Sequence, residues 1–416
     1  MRKLSMSQRH IMQKALRRFR RELYDSVLPF WMRHSPDRRF GGYFTCLDEK
    51  GAVFDDRKYM WLQGRQIWLF SRMYNAVERR PAWLTMARLG AEFMRRHGKT
   101  SDGRVCFCLT RNGQPISIQR KIFSECFYCL GLSEYAAACG DRSVLDEALN
   151  ILGNILRWAD DPSVLGRPVF AGTRPVRQLA VPMILLNLME EMQSAHPDLD
   201  FSRETHRRAN EILLHLQPQL GAVLETVAPD GKPMPDIPEG RLINPGHALE
   251  ASWFLIQHNR RRQDASIQEA ALRMVDWSLE RGWDRRHGGI LYFLDALGKP
   301  PVQLEWNLKL WWVHVEAIYA VLCAYAVSGQ QKYLQHFQRI TDWTFAHFPD
   351  HKYGEWFGYL DRAGLVSQRL KGGPYKGCFH IPRFLLYSIK LIDQILAADG
   401  TGFPPDAVFK TTDNNG

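Results

Sequence analysis

A chain of 416 residues, 45% hydrophobic and 24% charged, has the composition of a soluble globular protein with a large core. Its net charge of +11 is scattered, the densest run being Arg17-Arg18-Phe19-Arg20-Arg21 on an amphipathic helix, and no DNA- or RNA-reading motif accompanies it, so no nucleic-acid partner is expected. The eight cysteines lack zinc spacing, since Cys126-x-x-Cys129 has no second pair, so no metal site is expected. No apolar run approaches the length of a membrane span, roughly 18 residues, so none is expected either. In chain order, Met1 to Tyr24 reads as a basic amphipathic helix without a secretory core or cleavage site, and a reducing cytoplasm is the expected compartment.

Three 15-residue segments then align without a gap: 37–51 (DRRFGGYFTCLDEKG), 284–298 (DRRHGGILYFLDALG) and 350–364 (DHKYGEWFGYLDRAG). Asp, Gly, Leu, Asp and Gly recur at positions 1, 5, 11, 12 and 15 of each. Each reads as a strand, a tight turn and a return strand. Weaker copies at 103–113 (GRVCFCLTRNG) and 221–231 (GAVLETVAPDG) keep the same spacing between their glycines, and a degenerate sixth surrounds Gly166 (GRPVFAGTRP). The unit glycines fall at positions 41, 103, 166, 221, 288 and 354, with successive intervals of 62, 63, 55, 67 and 66, which marks a repeat architecture.

Between the hairpins, helical patterns come in pairs, such as 59–74 with 82–96 and 123–139 with 144–158. Two helices and a hairpin, six times over, predict an all-α (α/α)6 toroid whose inner helices ring a cavity and whose outer helices wrap them. Such a ring has no separable parts, so 1–397 are read as one barrel domain. Residues 398–416 (ADGTGFPPDAVFKTTDNNG), polar and containing Pro and Gly, read as a disordered tail. The 13 Trp and 22 Phe suit an aromatic-lined sugar cavity as well as a core.

If the units are equivalent, residues at one offset from the unit glycine share a place on the ring. His247, His314 and His380 all stand at offset +26 from theirs, Arg65 at +24 from Gly41, and Glu125 at +22 from Gly103. This predicts titratable groups converging where the inner helices begin. His247 with Glu250, and His380 with Arg383, are spaced i and i+3 and share a helix face. His314 and Glu316 are two apart, so one of them points away; repeat phase alone favours His314 inward. Two imidazoles, a guanidinium and a few carboxylates suit proton transfer near neutral pH beside a sugar carbonyl, with Arg65 holding the developing oxyanion. Lys371-Gly-Gly-Pro-Tyr-Lys-Gly is not a phosphate-binding Walker loop.

The stretches WLQGRQIW (61–68), FSECF (123–127), AVPMILLNL (180–188), GRLINPGHALEASWF (240–254), QLEWNLKLWWVHVEA (303–317), YGEWFGYL (353–360) and KGGPYKGCFHIPR (371–383) resemble the N-acylglucosamine 2-epimerase (renin-binding protein) family, collinearly from about Tyr24 to Leu396. The resemblance implies the (α/α)6 barrel, His247 and His380 as an acid/base pair, and Arg65, Glu250 and Glu316 as site residues. It prefers Glu316 over His314 as the inward residue and leaves His314 and Cys378 as neighbours of the site; helix spacing, not the resemblance, makes Arg383 an orienting partner of His380 that lines the substrate's place. Cys378 matches a cysteine linked with thiol sensitivity.

The implied reaction interconverts N-acetylglucosamine and N-acetylmannosamine. One His removes the C2 proton from the open-chain sugar, and the other returns a proton to the opposite face of the enediolate. The resemblance also implies ATP as an activator that is not consumed, and a homodimer. Related branches isomerise mannose to fructose or epimerise cellobiose with a further His on the third inner helix; here that helix, 177–194 (RQLAVPMILLNLMEEMQS), has none. Two readings of other classes remain. An inverting glycoside hydrolase would use Glu250 and Glu316 and leave the histidines without a task. A renin-binding type of protein-binding role would make vestigial residues of Arg65, His247, Glu250, Glu316 and His380, whose joint presence argues against it.

Overall fold

A computed structural model describes residues 3–400. Most of the tail read as disordered, 401–416, lies outside the described residues. Ala398–Gly400 do not fit that reading, because the Leu4 N–H donates to Asp399 O and Gly400 forms an antiparallel bridge with Lys3.

Thirteen α-helices run through the described residues. α1 (Met6–Arg21) passes through a π-helical stretch, Glu22–Val27, into α2 (Leu28–His34). Then come α3 (Met60–Ala76), α4 (Pro81–His97), α5 (Phe123–Cys139), α6 (Arg142–Asp160), α7 (Ala180–Ala195) and α8 (Ser202–Leu213). α9 (Pro245–Arg262), α10 (Ala265–Gly282), α11 (Trp311–Ser328), α12 (Gln331–His347) and α13 (His380–Ala397) complete the set. The odd-numbered helices from α3 to α13 pack each on the next as an inner ring, and the Trp68 and Tyr387 rings, 6.1 Å apart, join α3 to α13. Outside them lie α4, α6, α8, α10 and α12, with α1, first in sequence, covering α13. The chain is an (α/α)6 barrel.

Patterning explains the two layers. Outer helices such as α6 and α8 are amphipathic, whereas inner ones are apolar nearly all round and buried on most faces. One such helix corrects an expectation: α11 is long and apolar enough to span a membrane, but its side chains are buried inside the protein. Two inner helices touch backbone to backbone. A Cβ on Gly64 of α3 would lie 2.1 Å from Phe127 O, and one on Gly131 of α5 would lie 2.6 Å from Gly64 O. That contact presses Phe127 against the residue after Gly64, Arg65.

In the three strong repeats, Asp37, Asp284 and Asp350 each accept from the backbone N–H groups two and three positions on, and the glycine four positions on turns at positive φ. The same carboxylates pair with fully buried lysines: Lys58 at 3.0 Å, Lys309 at 3.4 Å and Lys371 at 2.7 Å. The short strand before an inner helix then hydrogen-bonds to the next unit's hairpin. Lys58–Tyr59 pairs with Cys108–Leu109, Arg177–Gln178 with Thr226–Val227, Leu242–Ile243 with Leu294–Asp295, and Lys309–Leu310 with Tyr359–Leu360. Leu370 bridges back to Asp48 and closes the circle. The degenerate sixth copy keeps only its turn: Gly166 ends a 3-10 segment at φ +64°, as Gly221 does at φ +52°, but the exposed stretch that follows pairs with no strand.

Candidate active site

The hairpin end of the ring gathers the first two turns of the inner helices. Arg65, Glu250 and Glu316 are each the sixth residue of their helix, His247 the third of α9, and His380 and Arg383 the first and fourth of α13. Asn244 caps α9 by accepting from the His247 N–H at 3.2 Å. The start of α13 is braced from below. Gly372 passes Thr45 O so closely that a Cβ would meet it at 2.0 Å. Lys376 donates to Glu355 Oε1 at 2.7 Å, and the Trp31 indole donates to Oε2 at 2.8 Å. Both lysines of the glycine-rich stretch are therefore engaged by carboxylates.

His380 Nδ1–H donates to Glu316 Oε1 at 2.7 Å, and Arg383 Nη2 donates to the same oxygen at 2.7 Å. The other oxygen of Glu316 accepts from the Trp253 indole at 2.8 Å. Arg383 Nη2 also donates to Glu250 Oε1. Across the site, His247 Nδ1–H donates to Glu225 Oε2 at 2.9 Å. A carboxylate only accepts, so both imidazoles carry hydrogen on Nδ1 and are left with Nε2 for chemistry. The Trp312 indole lies between them, ring centroids 5.2 Å from His247 and 5.9 Å from His380.

Arg65 is the exception among these charged groups. Its guanidinium lies over Phe127 at 4.0 Å, with Trp61 and Phe379 at 5.0 and 5.1 Å, and its buried Nε has no hydrogen-bond partner among the described residues. Burial pulls its pKa down to about 9, with Glu250 opposing, so it stays charged at neutral pH.

The two histidines are pushed in opposite directions. Burial acts to lower His247, but Glu225, with help from Glu250, raises it above the usual histidine value. Burial lowers His380 well below that value, and the charges of Arg383 and Arg65 add to this against the pull of Glu250. His247 is therefore the more readily protonated of the two, and His380 is neutral at neutral pH. Ligand atoms of Glu250, Glu316 and His380 lie within 4.8 Å of one another, a spacing a metal ion could bridge, but the Arg383 guanidinium already donates into both carboxylates.

The structure thus brings together Arg65, His247, Glu250, Glu316, His380 and Arg383. It does not bring His314, whose Nδ1–H donates to Leu310 O at 2.8 Å and whose Nε2 accepts from the Ile290 N–H at 2.9 Å. His314 stacks on Trp343, with Phe348 tilted beside it, on the side of the outer wall, so the inward placement suggested by repeat phase does not hold. Glu125 is also withdrawn, bound to Arg104 and the Val105 N–H. Cys378 is buried beside Glu355 and Lys376, and burial pushes its thiol far above the usual value, which disqualifies it as a nucleophile. Glu225, Trp253 and Trp312 belong to the site and were not singled out from the sequence. A signal for Glu225 existed: four positions after the hairpin glycine the other copies have Thr45, Phe107, Tyr292 and Gly358, and only this one has a carboxylate.

Residues 42–381 match the family described as N-acylglucosamine 2-epimerase (GlcNAc 2-epimerase). N-acylglucosamine 2-epimerase of Bos taurus is 44% identical over 388 residues, 91% of this chain and 92% of the bovine one. Cellobiose 2-epimerase of Bacteroides fragilis is 23% identical over 88% of this chain and 96% of its own. Among solved structures, cellobiose 2-epimerase from Bacillus thermoamylovorans superposes with a TM-score of 0.79 at 20% identity, covering 92% of this chain and 100% of that one. A D-mannose isomerase superposes with a TM-score of 0.73 at 16% identity, covering 95% and 99%. At such identities the structural likenesses establish the fold.

Proposed function

The chain belongs to the N-acylglucosamine 2-epimerase family, and from that premise we propose that it interconverts N-acetyl-D-glucosamine and N-acetyl-D-mannosamine by moving the C2 proton between His380 and His247. The observation that carries this reading is the pair of imidazoles on one indole wall, each bound at Nδ1 by its own glutamate, in surroundings that favour the proton on His247 and disfavour it on His380. Two titratable groups driven apart by their surroundings make an acid and a base at one pH.

In the open-chain sugar the C1 aldehyde acidifies the C2 hydrogen. Neutral His380 accepts that proton at Nε2. The electron pair left on C2 delocalises into an enediolate, whose oxygen finds its donor in Arg65, the guanidinium whose Nε has no partner of its own. Protonated His247 then donates from Nε2 to the opposite face of C2, which inverts it. Arg383 orients the machinery by fixing Glu250 and Glu316, and Glu316 in turn fixes the His380 ring.

A glycosidase is disfavoured by the same contacts. Glu250 and Glu316 share one nitrogen of Arg383, and their ligand atoms lie within 4.8 Å, whereas inverting hydrolases separate their carboxylates by roughly 6.5–9.5 Å to admit water. Family resemblance supports two further parts of the reading, ATP as a non-consumed activator and a homodimer, and the free cysteines fit a third, a reducing, cytoplasmic location. Thermal shift with ATP, sedimentation and cell fractionation test these in turn.

Incubation of the protein with N-acetylmannosamine and ATP in heavy water, followed by NMR, tests the central claim. The expected result is deuterium at C2 together with the second epimer. Absence of both from folded protein sinks the epimerase reading, and conversion of mannose to fructose in its place makes the protein an aldose–ketose isomerase.

A further inference from the structure

Glu225 is held in a way that no other carboxylate of the site is. Its backbone is fixed on both sides, the N–H donating to Leu242 O and the C=O accepting from Leu179 N, each at 2.9 Å. It is thus clamped between the segments that lead into α7 and α9. Its Oε2 accepts from His247 at 2.9 Å, and its Oε1 is buried without a hydrogen-bond partner. No Arg or Lys pairs with it among the described residues; its one ion-pair contact is the imidazole.

The other groups near the pair do not relieve that charge. His215 is kept neutral by burial, with its Nδ1–H on Leu224 O. The Tyr292 phenol is raised by burial and by Glu305 as well as by Glu225, so it stays protonated. Arg177 is exposed and donates to Pro229 O. On its own helix His247 has Glu250, α11 contributes the uncharged Trp312, and α13 contributes His380. Glu316, by contrast, receives three donors, one of them a guanidinium. A buried carboxylate whose only donor is an imidazole is stabilised chiefly when that imidazole is charged.

We propose that Glu225 is a positioning residue that fixes the Nδ1–H tautomer of His247 and holds that imidazole in its protonated form between turnovers. The inference rests on the epimerase reading above. For the epimer whose C2 hydrogen faces His380, the C2–H bond breaks as Nε2 of His380 gains the proton. A new C2–H bond forms as Nε2 of His247 loses one. The released product leaves His380 charged and His247 neutral. Solvent then returns a proton to His247 under the pull of Glu225 and removes one from His380, which Arg65 and Arg383 repel. The opposite epimer runs every step in reverse, beginning with loss of the His247 proton to solvent and gain of one by His380 before its C2–H bond breaks.

The test is the pH profile of kcat/KM for the wild type, Glu225→Gln and Glu225→Asp, alongside NMR titration of the His247 imidazole in each. Glu225→Gln should move the alkaline limb and the His247 titration down by about 1–2 pH units, so that kcat/KM falls about 10–100-fold at pH 8 and much less at pH 6. Glu225→Asp should recover part of the shift. Equal loss at every pH with the His247 titration unmoved would overturn the proposal, since that is what a purely structural glutamate gives. An unchanged profile would overturn it as well. Failure of the wild type to exchange C2 hydrogen would defeat the epimerase reading instead, and the His247 titration would still decide whether Glu225 holds the proton.

Discussion

His314 and His380 share one offset, +26, from a hairpin glycine, yet they occupy opposite sides of the inner wall. His314 is the fourth residue of α11, and both of its nitrogens are engaged by backbone groups. His380 is the first residue of α13, with one nitrogen on Glu316 and the other without a protein partner among the described residues. The arginines divide the same way. Arg383 is held through Nη2 by both Glu250 and Glu316, whereas Arg65 rests on aromatic faces with an orphan donor. In this ring a buried polar group that is fully hydrogen-bonded fastens helices together. At the site itself, Arg65 and His380 each keep a nitrogen that no protein group engages among the described residues.

The largest effect should come from the incomplete members. His380→Asn leaves an amide that can still reach Glu316 but has no basic nitrogen, so kcat should fall by about 10²–10⁴-fold, with loss of C2 deuterium exchange. His247→Asn should do the same. Retention of exchange in either variant would break the two-histidine assignment. A smaller effect is expected from Glu316→Gln. His380 then loses an anionic neighbour while the charges of Arg383 and Arg65 remain, so its pKa should drop further. Activity fails as pH falls and protonates His380, so the acid limb of kcat/KM should move to lower pH, with a loss of about 10–100-fold at neutral pH from the disturbed Arg383 contacts. Movement of the alkaline limb instead would mean that the roles of the two carboxylates are exchanged.

The ring was legible from the hairpin glycines because positive φ demands glycine at all six copies and an Asp-capped turn repeats in the three strong ones. The positions of His247, Glu250, His380 and Arg383 on shared faces followed from helix spacing. The misplacement of His314 and Glu125 has a simple origin. The offset from hairpin glycine to helix start is not constant: Met60 stands at +19 from Gly41, Trp311 at +23 from Gly288 and His380 at +26 from Gly354. Counted from the helix start, Arg65, Glu250 and Glu316 fall into one phase, and His314 falls two positions out of it. Glu225 escaped because it lies on a hairpin, where helix periodicity says nothing. The buried Lys58, Lys309 and Lys371 escaped because the lysines' partners lie well back in sequence, at the far end of each hairpin.

The smallest effect on turnover should come from His314, and it sharpens the contrast from the other side. His314→Leu removes the acceptor of the Ile290 N–H and the donor to Leu310 O, so a buried N–H goes unpaired at a cost of about 1–3 kcal/mol in stability. Turnover per folded molecule should not change. The pH dependence of that cost identifies its source. Burial holds folded His314 neutral, with its pKa pushed down to about 3, whereas an unfolded histidine titrates near ~6.5. Below pH ~6.5 the unfolded wild-type chain takes up a proton that the folded one refuses, so the stability contribution present above that pH declines by about 1.4 kcal/mol per unit until the folded value is reached. Leucine has no such proton. The variant should therefore be less stable at pH 8 and draw level with the wild type near pH ~5, as read from urea unfolding midpoints. A stability gap that stays constant with pH would show that His314 is not held neutral, and a fall in turnover would return it to the site.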